Sequence, residues 1–559
     1  MDYQRIFILL GLAVTSYLLI LAWNEDYGSA KKSNNASKLS GTSAQEMLEE
    51  TPQLEILSDE DQIPRITDQG ARTENREKLE KSLRPLINIS TDLFDLKIAL
   101  DGGDITSVAL REYPTDLDDP ENPFLLVDPR NSYVAQSGLI GQDGTDKKAE
   151  RPTFKSAKAN YAMGSADELL VELFYTQESG TEIKKVFRFR RGDYLANISY
   201  EISNSSAEDW VGAMYAQIKR DGKVPAGFEG NFMGMQPFVG AATRTQDQIF
   251  EKIEFDDLNE APFRLTRSEG YMAMVQHYFI TAWAPTEKTT LQNYYARRLG
   301  SSDVYLMGLT TQPITIAPGD QQKISIGFYA GPKNQYRLQE IATGLDLTVD
   351  YGFLWWLSQP LFYLLTYVHG LVGNWGLAII GLTLIVKLIL WPLSASGYRS
   401  MAKMRKLSPE MARLKERHGD DKQAFSQAMM ELYKKEGTNP LGGCFPILLQ
   451  MPVFLALYWT LMESVELRQA PFFLWIKDLS VMDPFFVLPI LMGVSMYLTQ
   501  RMQPEPPDPV QAAVFKYMPI VFTFLFLWFP SGLVLYWLVN NILSIFQQWF
   551  VTRQLEKSG

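Results

Sequence analysis

Five apolar segments follow one another in the last third of the chain, and they constrain its fold more than any other feature. Segments of this kind are typical of membrane-spanning helices, because a helix satisfies its own backbone hydrogen bonds without water. The sequence therefore predicts an all-α five-helix transmembrane core. Its predicted helices cover residues 374–397, 444–463, 485–501, 517–531 and 532–551.

The fourth of these helices is predicted from an unusually short apolar run. Residues 518–530 number only 13, which is about 20 Å as a helix. A hydrocarbon core of roughly 30 Å would exceed that length. We therefore expect local thinning of the bilayer beside this helix.

The charge of the chain differs between its first and last parts. Residues 1–354 contain 36 Lys/Arg and 51 Asp/Glu, whereas the remaining residues contain 17 and 13. The first part is acidic and polar, and the second is apolar with basic patches. This difference indicates a multi-domain membrane protein with one part in water and the other in lipid.

The polar first part divides into three segments. Residues 1–23 could be a signal peptide, but small residues are missing at a cleavage site, which favours an uncleaved N-terminal anchor helix. Residues 24–84 are predicted to be a flexible periplasmic tether, because they can bury little apolar surface. Residues 85–350 show short alternating strands between turns that contain Gly, Asn or Asp, which predicts a large periplasmic β-sandwich.

An interfacial amphipathic helix is predicted at residues 351–373, since aromatic residues are frequent there and Gln359-Pro360 interrupts the run. A full membrane span is the alternative.

The topology follows from positive charge: the loop 398–438 contains ten Lys/Arg and the loop 464–484 contains two, which indicates that the first is cytoplasmic. Counting the spans backward then places the N-terminus and the C-terminus in the cytoplasm. In a bacterium, such a multi-pass protein of the inner membrane would have its sandwich in the periplasm. The remaining cytoplasmic segments are a loop at 502–516 and a tail at 552–559.

A cytoplasmic coiled-coil hairpin is predicted over residues 398–438. Apolar residues recur three and four apart on either side of HGDD (418–421), where Asp420 or Asp421 can cap the second helix. One interpretation is an ordinary solvated hairpin that is closed by Met and Leu packing. The other is a mobile docking arm whose Met-rich seam accepts apolar segments. The residues assigned to this docking hairpin are Met401, Met404, Met411 and Met429.

A lysine interrupts the first predicted span, in the run LTLIVKLILWP. A charge at the bilayer centre costs roughly 2.5–3.5 kcal/mol on insertion scales, so Lys387 needs a compensating environment. Thr383 lies one turn earlier on the same helix face. The five spans offer no acidic partner, because Glu463 borders the outer end of the second span. A hydrated groove would compensate Lys387, and snorkelling toward the cytoplasmic interface is the alternative.

A polar stripe runs along the last predicted span, where Tyr536, Asn540, Ser544 and Gln547/Gln548 recur with helical spacing. Gln450 adds an amide to the second span. Polar stripes in membrane spans face protein or water rather than lipid, so these groups are expected to line a wet pocket beneath Lys387. Taken singly, each could instead bond one helix to another, which is worth about 0.6–2 kcal/mol.

Four stretches resemble the YidC/Oxa family of membrane protein insertases, in its Gram-negative form. They are GNWGLAIIGLTLIVKLILWPLS, MAKMRKLSPEMARLKERHGDDKQAFSQAMMELYKKEGTNPLGGCFPILLQMPVFLALYW, ELRQAPFFLWIKDLS and FLWFPSGLVLYWLVNNILSIFQQ. The resemblance covers most of 374–550 and, with the sandwich and the anchor, nearly the whole chain. It implies a mutarotase-like supersandwich for the periplasmic domain. It also implies the function of a membrane protein insertase and membrane chaperone, which is not an enzyme.

The family resemblance implies a mechanism as well. The hydrophilic end of an incoming protein is captured in a groove open to the cytoplasm, where one cation attracts its acidic residues. The family's groove positions correspond to Thr383 and Lys387, and many relatives have Arg at the second. Family members often have a Tyr-Tyr pair in the last span, and this chain has Tyr536-Trp537 at those positions. The groove is expected to be lined by Lys387, Thr383, Gln450, Tyr536, Trp537 and Asn540.

The implied partners are nascent integral membrane proteins, ribosome–nascent chain complexes, the Sec translocon with its accessory subunits, and membrane lipids. Recognition of a nucleic-acid sequence is not implied. We expect no cofactor and no metal site, because the chain has one cysteine, Cys444, and its three histidines are far apart. The sequence also lacks the phosphate-binding and hydrolase motifs GxxxxGK[ST], HExxH and GxSxG.

Two other functions fit parts of the sequence. A small-solute transporter or channel usually contains internal repeats, and none is evident among the five spans. A membrane-anchored carbohydrate-binding or carbohydrate-modifying protein would act through residues 85–345. Deletion of most of residues 85–345 distinguishes this last function from that of an insertase. If the chain is an insertase, insertion is expected to survive the deletion.

Overall fold

A computed structural model of the chain describes residues 85–146, 151–223, 237–286, 290–300, 302–419, 421–437, 445–503 and 509–558. The predicted anchor (1–23) and tether (24–84) lie outside these residues, as do Asp420 and Cys444. The described part of the chain consists of a β-sandwich followed by a helical region.

Strands account for most of the described residues up to residue 332. The first ten are β1 Leu86–Ser90, β2 Phe94–Ala99, β3 Asp104–Asp116, β4 Asp119–Val127, β5 Val134–Ile140, β6 Lys155–Ser156, β7 Asn160–Ala162, β8 Glu168–Thr176, β9 Glu182–Arg190 and β10 Leu195–Ser203. The next ten are β11 Trp210–Asp221, β12 Gly240–Thr243, β13 Glu251–Ile253, β14 Phe263–Arg267, β15 Met272–Val275, β16 Phe279–Pro285, β17 Gln292–Arg298, β18 Val304–Thr311, β19 Ile314–Ile316 and β20 Gln321–Pro332.

These strands form two sheets. Among the described residues, one sheet has the order β14-β17-β18-β11-β5-β3-β2-β1-β7, with β19 paired to β11 and β4 paired to β3. The other has the order β13-β12-β15-β16-β20-β10-β9-β8-β6. Neighbouring strands are antiparallel except β1 and β7, which are parallel. The β-sandwich that the alternating pattern predicts is therefore confirmed.

The sandwich core lies between the sheets and follows from that alternation. Along β9, for example, Ile183, Phe187 and Phe189 are buried on one face of the strand. Each fully buried side chain of this size contributes about 1.5–3 kcal/mol relative to its exposed state. One member of the core, Val465, comes from the helical region and lies in a short 3-10 turn, Val465–Leu467. The sandwich and the helical region therefore share apolar packing.

The helices follow one another mainly after the sandwich. They are α1 Phe255–Glu260, α2 Gln335–Ile341, α3 Trp355–Val372, α4 Trp375–Ile389, α5 Trp391–His418, α6 Lys422–Lys435, α7 Phe445–Glu463, α8 Val487–Arg501, α9 Pro509–Leu525 and α10 Ser531–Ser558. The last of these is central, since it contacts α4, α5, α7 and α8, while α9 packs mainly on α8.

The boundary between α3 and α4 is set by two adjacent residues. Gly373 ends α3 with a φ of 66°, a left-handed conformation that glycine adopts without steric cost. The side chain of Asn374 then accepts a hydrogen bond from the backbone of Leu377 and caps α4. Helix α3 buries one face and exposes Trp355, Trp356, Tyr363 and Tyr367 on the other.

No single helix among the described residues is both long enough and apolar enough to span a membrane. Two consecutive helical segments, Trp375–Ile389 and Trp391–Leu407, meet these criteria together, with a bend of 69° between them. A shorter apolar stretch covers Ala512–Trp528.

Two of the predicted boundaries differ from the structure. The segment 374–397 is not one straight helix, because the chain bends at Leu390; Pro392, in the first turn of the next helix, cannot supply a backbone donor to the preceding turn. Helix α9 begins at Pro509 and has 17 residues, since Pro is well accommodated at a helix start and the helix continues through Lys516. The helix is thus longer than the apolar run. Its 17 residues correspond to about 26 Å, which reduces the mismatch with a hydrocarbon core of roughly 30 Å, and local thinning of the bilayer stays a prediction.

Helices α5 and α6 form an antiparallel pair in the predicted hairpin region. The side chain of Asp421 accepts hydrogen bonds from the backbone amides of Gln423 and Ala424 and caps α6, one of the two caps that the sequence suggests. Between the helices, an apolar cluster contains Met404, Met411 and Met429.

Candidate functional site

The site centres on Lys387, in the last turn of α4. Only 5 % of its surface is exposed. Its Nζ donates a hydrogen bond to Oγ of Ser544 on α10, at 2.7 Å, and Tyr398 on α5 also interacts with Ser544. No carboxylate among the described residues acts on Lys387. The lysine is therefore a buried cation that a single hydroxyl helps to satisfy.

Further hydrogen bonds link Lys387 to two more residues of the predicted groove. Ser544 donates through Oγ to the backbone oxygen of Asn540, at 2.7 Å. The Asn540 side chain donates through Nδ2 to Oε1 of Gln450 on α7, at 3.2 Å. The resulting chain of contacts joins α4, α10 and α7, so three predicted groove residues, Lys387, Asn540 and Gln450, come together.

Thr383 is buried one helical turn before Lys387. Its Oγ1 donates to the backbone oxygen of Ile379 in the same helix, at 2.6 Å. The hydroxyl proton is therefore engaged locally, a common arrangement for threonine in helices. Only the lone pairs of Oγ1 remain for other contacts.

Tyr536 and Trp537 are adjacent in α10 and point about 100° apart around the helix. The ring of Tyr536 stacks on Phe454 at 6.4 Å between centroids. Trp537 packs edge-on against Phe454 at 4.4 Å and also contacts Phe526 at 5.3 Å. Trp537 thus belongs to an aromatic cluster between α7, α10 and the 3-10 turn that follows α9.

Several buried polar atoms near this network have no hydrogen-bond partner among the described residues. They are Nε2 of Gln450, Nε1 of Trp537, Oγ of Ser394 and Oε1 of Gln547. An unsatisfied buried polar group costs about 1–3 kcal/mol, so such groups need water or a ligand. The arrangement offers donors and acceptors beside a cation, which suits a polar or acidic guest.

The opposite side of α10 has polar contacts of another kind. Nδ2 of Asn541 donates to Oγ of Ser495 on α8 at 3.0 Å, and Nε2 of Gln548 donates to the backbone oxygen of Met502 at 3.0 Å. These contacts hold α8 against α10. The predicted stripe therefore divides, because Gln547 instead donates to the backbone oxygen of Trp391.

The four methionines of the predicted docking hairpin are buried. Met401 packs with Ala395, Tyr398 and Val551, close to α10. Met404, Met411 and Met429 pack with Tyr433 between α5 and α6, where the Tyr433 hydroxyl donates to the sulfur of Met411 at 3.1 Å. The seam is closed in this structure, so an apolar guest would have to open it.

Two residues of the site lie outside the six that were named for the groove, although Ser544, as part of the polar stripe, was expected to line the wet pocket beneath Lys387. Ser544 belongs to the polar stripe, and its helical spacing with Asn540 was a sufficient signal to include it. Tyr398 lies beyond the bend at Leu390, and nothing in the sequence indicates that the chain turns back toward α10 there. Among the described residues, no group of three His, Cys, Asp or Glu side chains could hold a metal ion.

Two family models match successive parts of the chain. The model described as YidC periplasmic domain matches residues 86–364, and that described as 60Kd inner membrane protein matches residues 367–558. A protein of Cellvibrio japonicus named membrane protein insertase YidC is 48% identical over 100% of this chain and 99% of its own. A protein of the same name from Pseudomonas aeruginosa is 46% identical over 100% of both chains.

Solved structures are similar at lower identity. A crystal structure titled as an active YidC insertase is 19% identical, covers 85% of this chain and 92% of its own, and has a TM-score of 0.38. A galactose mutarotase-like protein from Lactobacillus casei is 10% identical, covers 44% of this chain and 99% of its own, and has a TM-score of 0.31. We draw no conclusion from scores of this size, and the mutarotase-like form of the sandwich stays a prediction.

Proposed function

We propose, from the premise that this chain belongs to the YidC family of membrane protein insertases, that the polar network around Lys387 is the groove in which substrates are captured. The function of the chain is membrane protein insertion, and like its relatives it is an inner-membrane protein with a periplasmic domain. The proposal concerns how its own residues perform that function.

The buried cation supports a step of charge capture. An acidic residue that approaches Lys387 to about 4 Å gains roughly 4 kcal/mol at an effective dielectric constant of 20. Ser544 supplies the hydroxyl that Lys387 contacts when no substrate is bound. A carboxylate is a better acceptor than that hydroxyl, because charge-assisted hydrogen bonds are about twice as strong as neutral ones. An acidic segment would therefore displace Ser544 from the ammonium group.

The amide of Gln450 and the indole of Trp537 supply further donors. Both have a buried N–H group without a partner among the described residues, and both lie on the α7–α10 side of Lys387. These donors would bond backbone carbonyls of an extended polar segment that has left water. The substrate's own apolar helix then enters lipid at a gain of about 0.8 kcal/mol per buried CH₂, which drives the polar segment across.

The topology we propose is the multi-pass arrangement described above, with the groove open to the cytoplasm. The ten basic residues of 398–438 support that side for α5 and α6. The same basic hairpin is the proposed contact for ribosome–nascent chain complexes. Cooperation with the Sec translocon is proposed for substrates that need a second site, by analogy with the family.

The observation that carries the proposal is a nearly buried lysine without a carboxylate partner in the described part of the chain. Its test is insertion of a single-span substrate with an acidic tail into vesicles that contain the purified protein. Lys387→Glu is expected to abolish insertion, because it repels the tail, whereas Lys387→Arg retains the charge and the activity. Lys516→Glu, at an exposed lysine of α9, is the matched control and should insert normally.

A substrate with a neutral tail separates charge capture from general damage. It should respond less to Lys387→Glu than the acidic substrate does. Equal insertion of the acidic substrate by the wild type and Lys387→Glu would contradict the proposal. Labelling of a cysteine at position 387 by a membrane-impermeant reagent, in a Cys444→Ser background, should succeed only from the cytoplasmic side.

A further inference from the structure

The loop between α7 and α8 carries an apolar stretch at its tip. Residues 470–476, APFFLWI, contain no charged side chain. Phe473 is exposed, and Leu474 is 88 % exposed, the highest value among the large apolar side chains of the described residues. Contiguous exposed apolar surface marks contact sites for proteins or membranes. The tip of this loop therefore has the character of a contact surface.

The backbone of the tip adopts a conformation that holds Leu474 outward. Ile476 donates through its backbone amide to the backbone oxygen of Phe473, at 3.3 Å, and closes a four-residue turn. Within this turn Leu474 has a φ of 59°, a left-handed conformation that favours glycine or asparagine over leucine. In water the exposed leucine does not compensate for this strain, whereas apolar surroundings would.

The stem of the loop is fixed to the helical region. Leu479 donates through its backbone amide to the backbone oxygen of Ala470 at 3.0 Å, and Gly532, in the first turn of α10, donates to that of Leu479 at 2.9 Å. Nε1 of Trp475 donates to Oδ1 of Asp483 at 2.9 Å. The tip is therefore presented from a well-bonded base.

Polar residues on both sides of the apolar stretch contact the sandwich. Before it, Arg468 and Gln469 donate to the backbone oxygen of Pro114, at 2.9 and 2.8 Å. After it, Nζ of Lys477 lies 3.1 Å from Oδ1 of Asp118. The sandwich therefore contacts the polar flanks of the loop and leaves its apolar tip uncovered.

The apolar stretch lies beside the point where α3 ends and α4 begins. Nδ2 of Asn374, between these helices, donates to the backbone oxygen of Pro471 at 3.1 Å. The ring of Phe472 packs so closely on Gly376 in α4 that an added Cβ would overlap it. Leu371, in the last turn of α3, is 70 % exposed. The exposed apolar surface of the tip thus lies near that of the helix ends.

We propose that residues 473–476 anchor the loop in lipid: Phe473 and Leu474 enter the acyl chains of the periplasmic leaflet beside the ends of α3 and α4. The inference rests on the proposed topology, which puts this loop on the periplasmic side. Lipid fits the tip better than a protein partner does, because protein interfaces need a polar rim and the flanking polar groups already contact the sandwich. Aromatic residues are also frequent where membrane proteins meet the lipid surface.

The anchor gives the loop a role that is separate from the groove. It would hold the polar flanks of the loop, and the sandwich bound to them, at a fixed height above the bilayer. Substrate capture at Lys387 does not require it, in keeping with the expectation that insertion survives deletion of most of the sandwich.

The experiment compares three positions in the full chain, reconstituted in lipid vesicles. Leu474→Cys, Lys477→Cys and Leu170→Cys are made separately in a Cys444→Ser background, and each is labelled with the same nitrobenzoxadiazole fluorophore. Leu170 is the matched control, since it is an exposed leucine of β8 in the sandwich. The fluorescence is quenched either by lipids that carry a nitroxide in the acyl chain or by iodide in the water.

Lipid contact predicts opposite responses to the two quenchers. At position 474, the nitroxide should quench severalfold more strongly than at position 170, and iodide severalfold more weakly. Position 477 should resemble position 170, because Lys477 is exposed. The fluorophore is the same at all three positions, so its own affinity for lipid cannot produce the difference.

Two results would overturn the anchor. Equal quenching at positions 474 and 170 would place the tip in water. Protection of position 474 from both quenchers would assign the tip to a second copy of the chain, which is the only protein in the vesicles, and not to lipid.

A second variant tests the leucine while the turn is kept. Leu474→Asn removes the apolar side chain, and asparagine adopts the left-handed conformation more readily than leucine, so the turn should be retained. A fluorophore on Phe473→Cys should then show severalfold weaker quenching by the lipid nitroxide. Leu474→Met, which stays apolar, is the control and should keep the quenching strong. Unchanged quenching in the asparagine variant would contradict the role of Leu474.

Failure of the anchor can be told apart from failure of the groove and of the topology. Lys387→Glu should lose insertion of the acidic substrate while quenching at position 474 stays unchanged. Lys477→Cys should be labelled by a membrane-impermeant reagent in spheroplasts, where only the periplasmic face of the inner membrane is open to the reagent. Labelling from the cytoplasmic side alone would overturn the assignment to the periplasmic leaflet.

Discussion

Ser544 determines how Lys387 is held when no substrate is present. Its hydroxyl accepts from the ammonium group and donates to the backbone of Asn540, so it links the cation to the rest of the network. The sequence predicts that Lys387, Gln450 and Asn540 converge, because polar groups in apolar helices avoid lipid. It does not predict which hydroxyl meets the lysine, since that depends on the rotation of α10 against α4.

Ser544→Ala is expected to weaken the site without abolishing it. The substitution leaves a buried ammonium without this acceptor, at a cost of about 1–3 kcal/mol. We expect lower thermal stability in detergent and a severalfold loss of insertion of the acidic substrate. Ser544→Thr, which retains the hydroxyl, is the control. Equal behaviour of the two variants would show that the hydrogen bond is unimportant.

Trp537 illustrates a side chain whose position the sequence does not determine. A polar stripe and a family pair both suggest that Tyr536 and Trp537 act together, yet adjacent helical residues point in different directions. Tyr536 stacks on Phe454, while Trp537 also reaches Phe526 in the 3-10 turn that follows α9. The contact with Phe526 requires the tertiary arrangement of three helices.

At the scale of helices, α8 and α9 are held together by an unusually close approach. A Cβ added at Gly493 on α8 would overlap the hydroxyl of Thr523 on α9. Small residues at helix crossings allow backbones to approach closely in membranes. The sequence shows the glycine but gives no indication of its partner, because α9 begins earlier than the apolar pattern predicts.

Gly493→Ala should therefore destabilise the α8–α9 pair. Overpacking of a tight contact typically costs about 1–3 kcal/mol. The change should appear as a lower thermal midpoint in detergent, and Thr523→Ala in the same chain should recover part of it by removing the hydroxyl and methyl groups. A midpoint that Gly493→Ala does not lower would contradict this contact.

The α5–α6 pair shows where local sequence rules succeed. Asp421 caps α6 through its own backbone neighbours, and the methionine spacing predicts the seam that closes between the helices. The bend at Leu390 was not expected, although Pro392 provides the physical reason for it. Apolar composition continues through the bend and conceals it.

Asp421→Ala is expected to loosen the start of α6, because it leaves the amides of Gln423 and Ala424 without their side-chain acceptor. Faster amide hydrogen exchange in the first turn of α6 would report this change. Asp421→Asn can still accept these hydrogen bonds and should exchange nearly as slowly as the wild type. Equal exchange in the alanine and asparagine variants would argue against the cap.

At the scale of the whole molecule, the contact between the sandwich and α7 is the feature that sequence patterns do not reveal. Glu463 was expected to be too far from Lys387 to pair with it, and it pairs with Lys333 instead. The two residues are 130 positions apart in the chain. The sandwich and the helical region can each be predicted from periodicity, whereas their mutual placement depends on buried groups with no local signal.

Glu466 should make this contact sensitive to pH. Burial raises the pKa of its carboxyl from 4.5 to about 7. Between pH 4.5 and about 7, the protein with the sandwich docked on α7 therefore binds more protons than the undocked protein. Docking is strongest at low pH and weakens as pH rises through about 7. Glu466→Gln should remove this dependence and stabilise docking at pH 8 by about 1–3 kcal/mol, with little effect at pH 4.

Hydrogen exchange of the 462–470 segment at pH 6 and pH 8, corrected for intrinsic rates, measures this effect. The wild type should lose protection at the higher pH more steeply than Glu466→Gln does. The same loss in both proteins would assign the pH dependence to another group.

The burial of Val465 in the sandwich core has a consequence for biogenesis. Translation finishes all twenty strands before residue 465 is made, so the sandwich first folds with one core position empty. In the topology proposed above, that position is filled only after α7 has crossed the bilayer and its outer end has reached the periplasmic side. Completion of the sandwich core thus depends on correct insertion of α7. Newly made copies in which α7 is wrongly inserted would have a less stable domain, which proteases would cleave more readily.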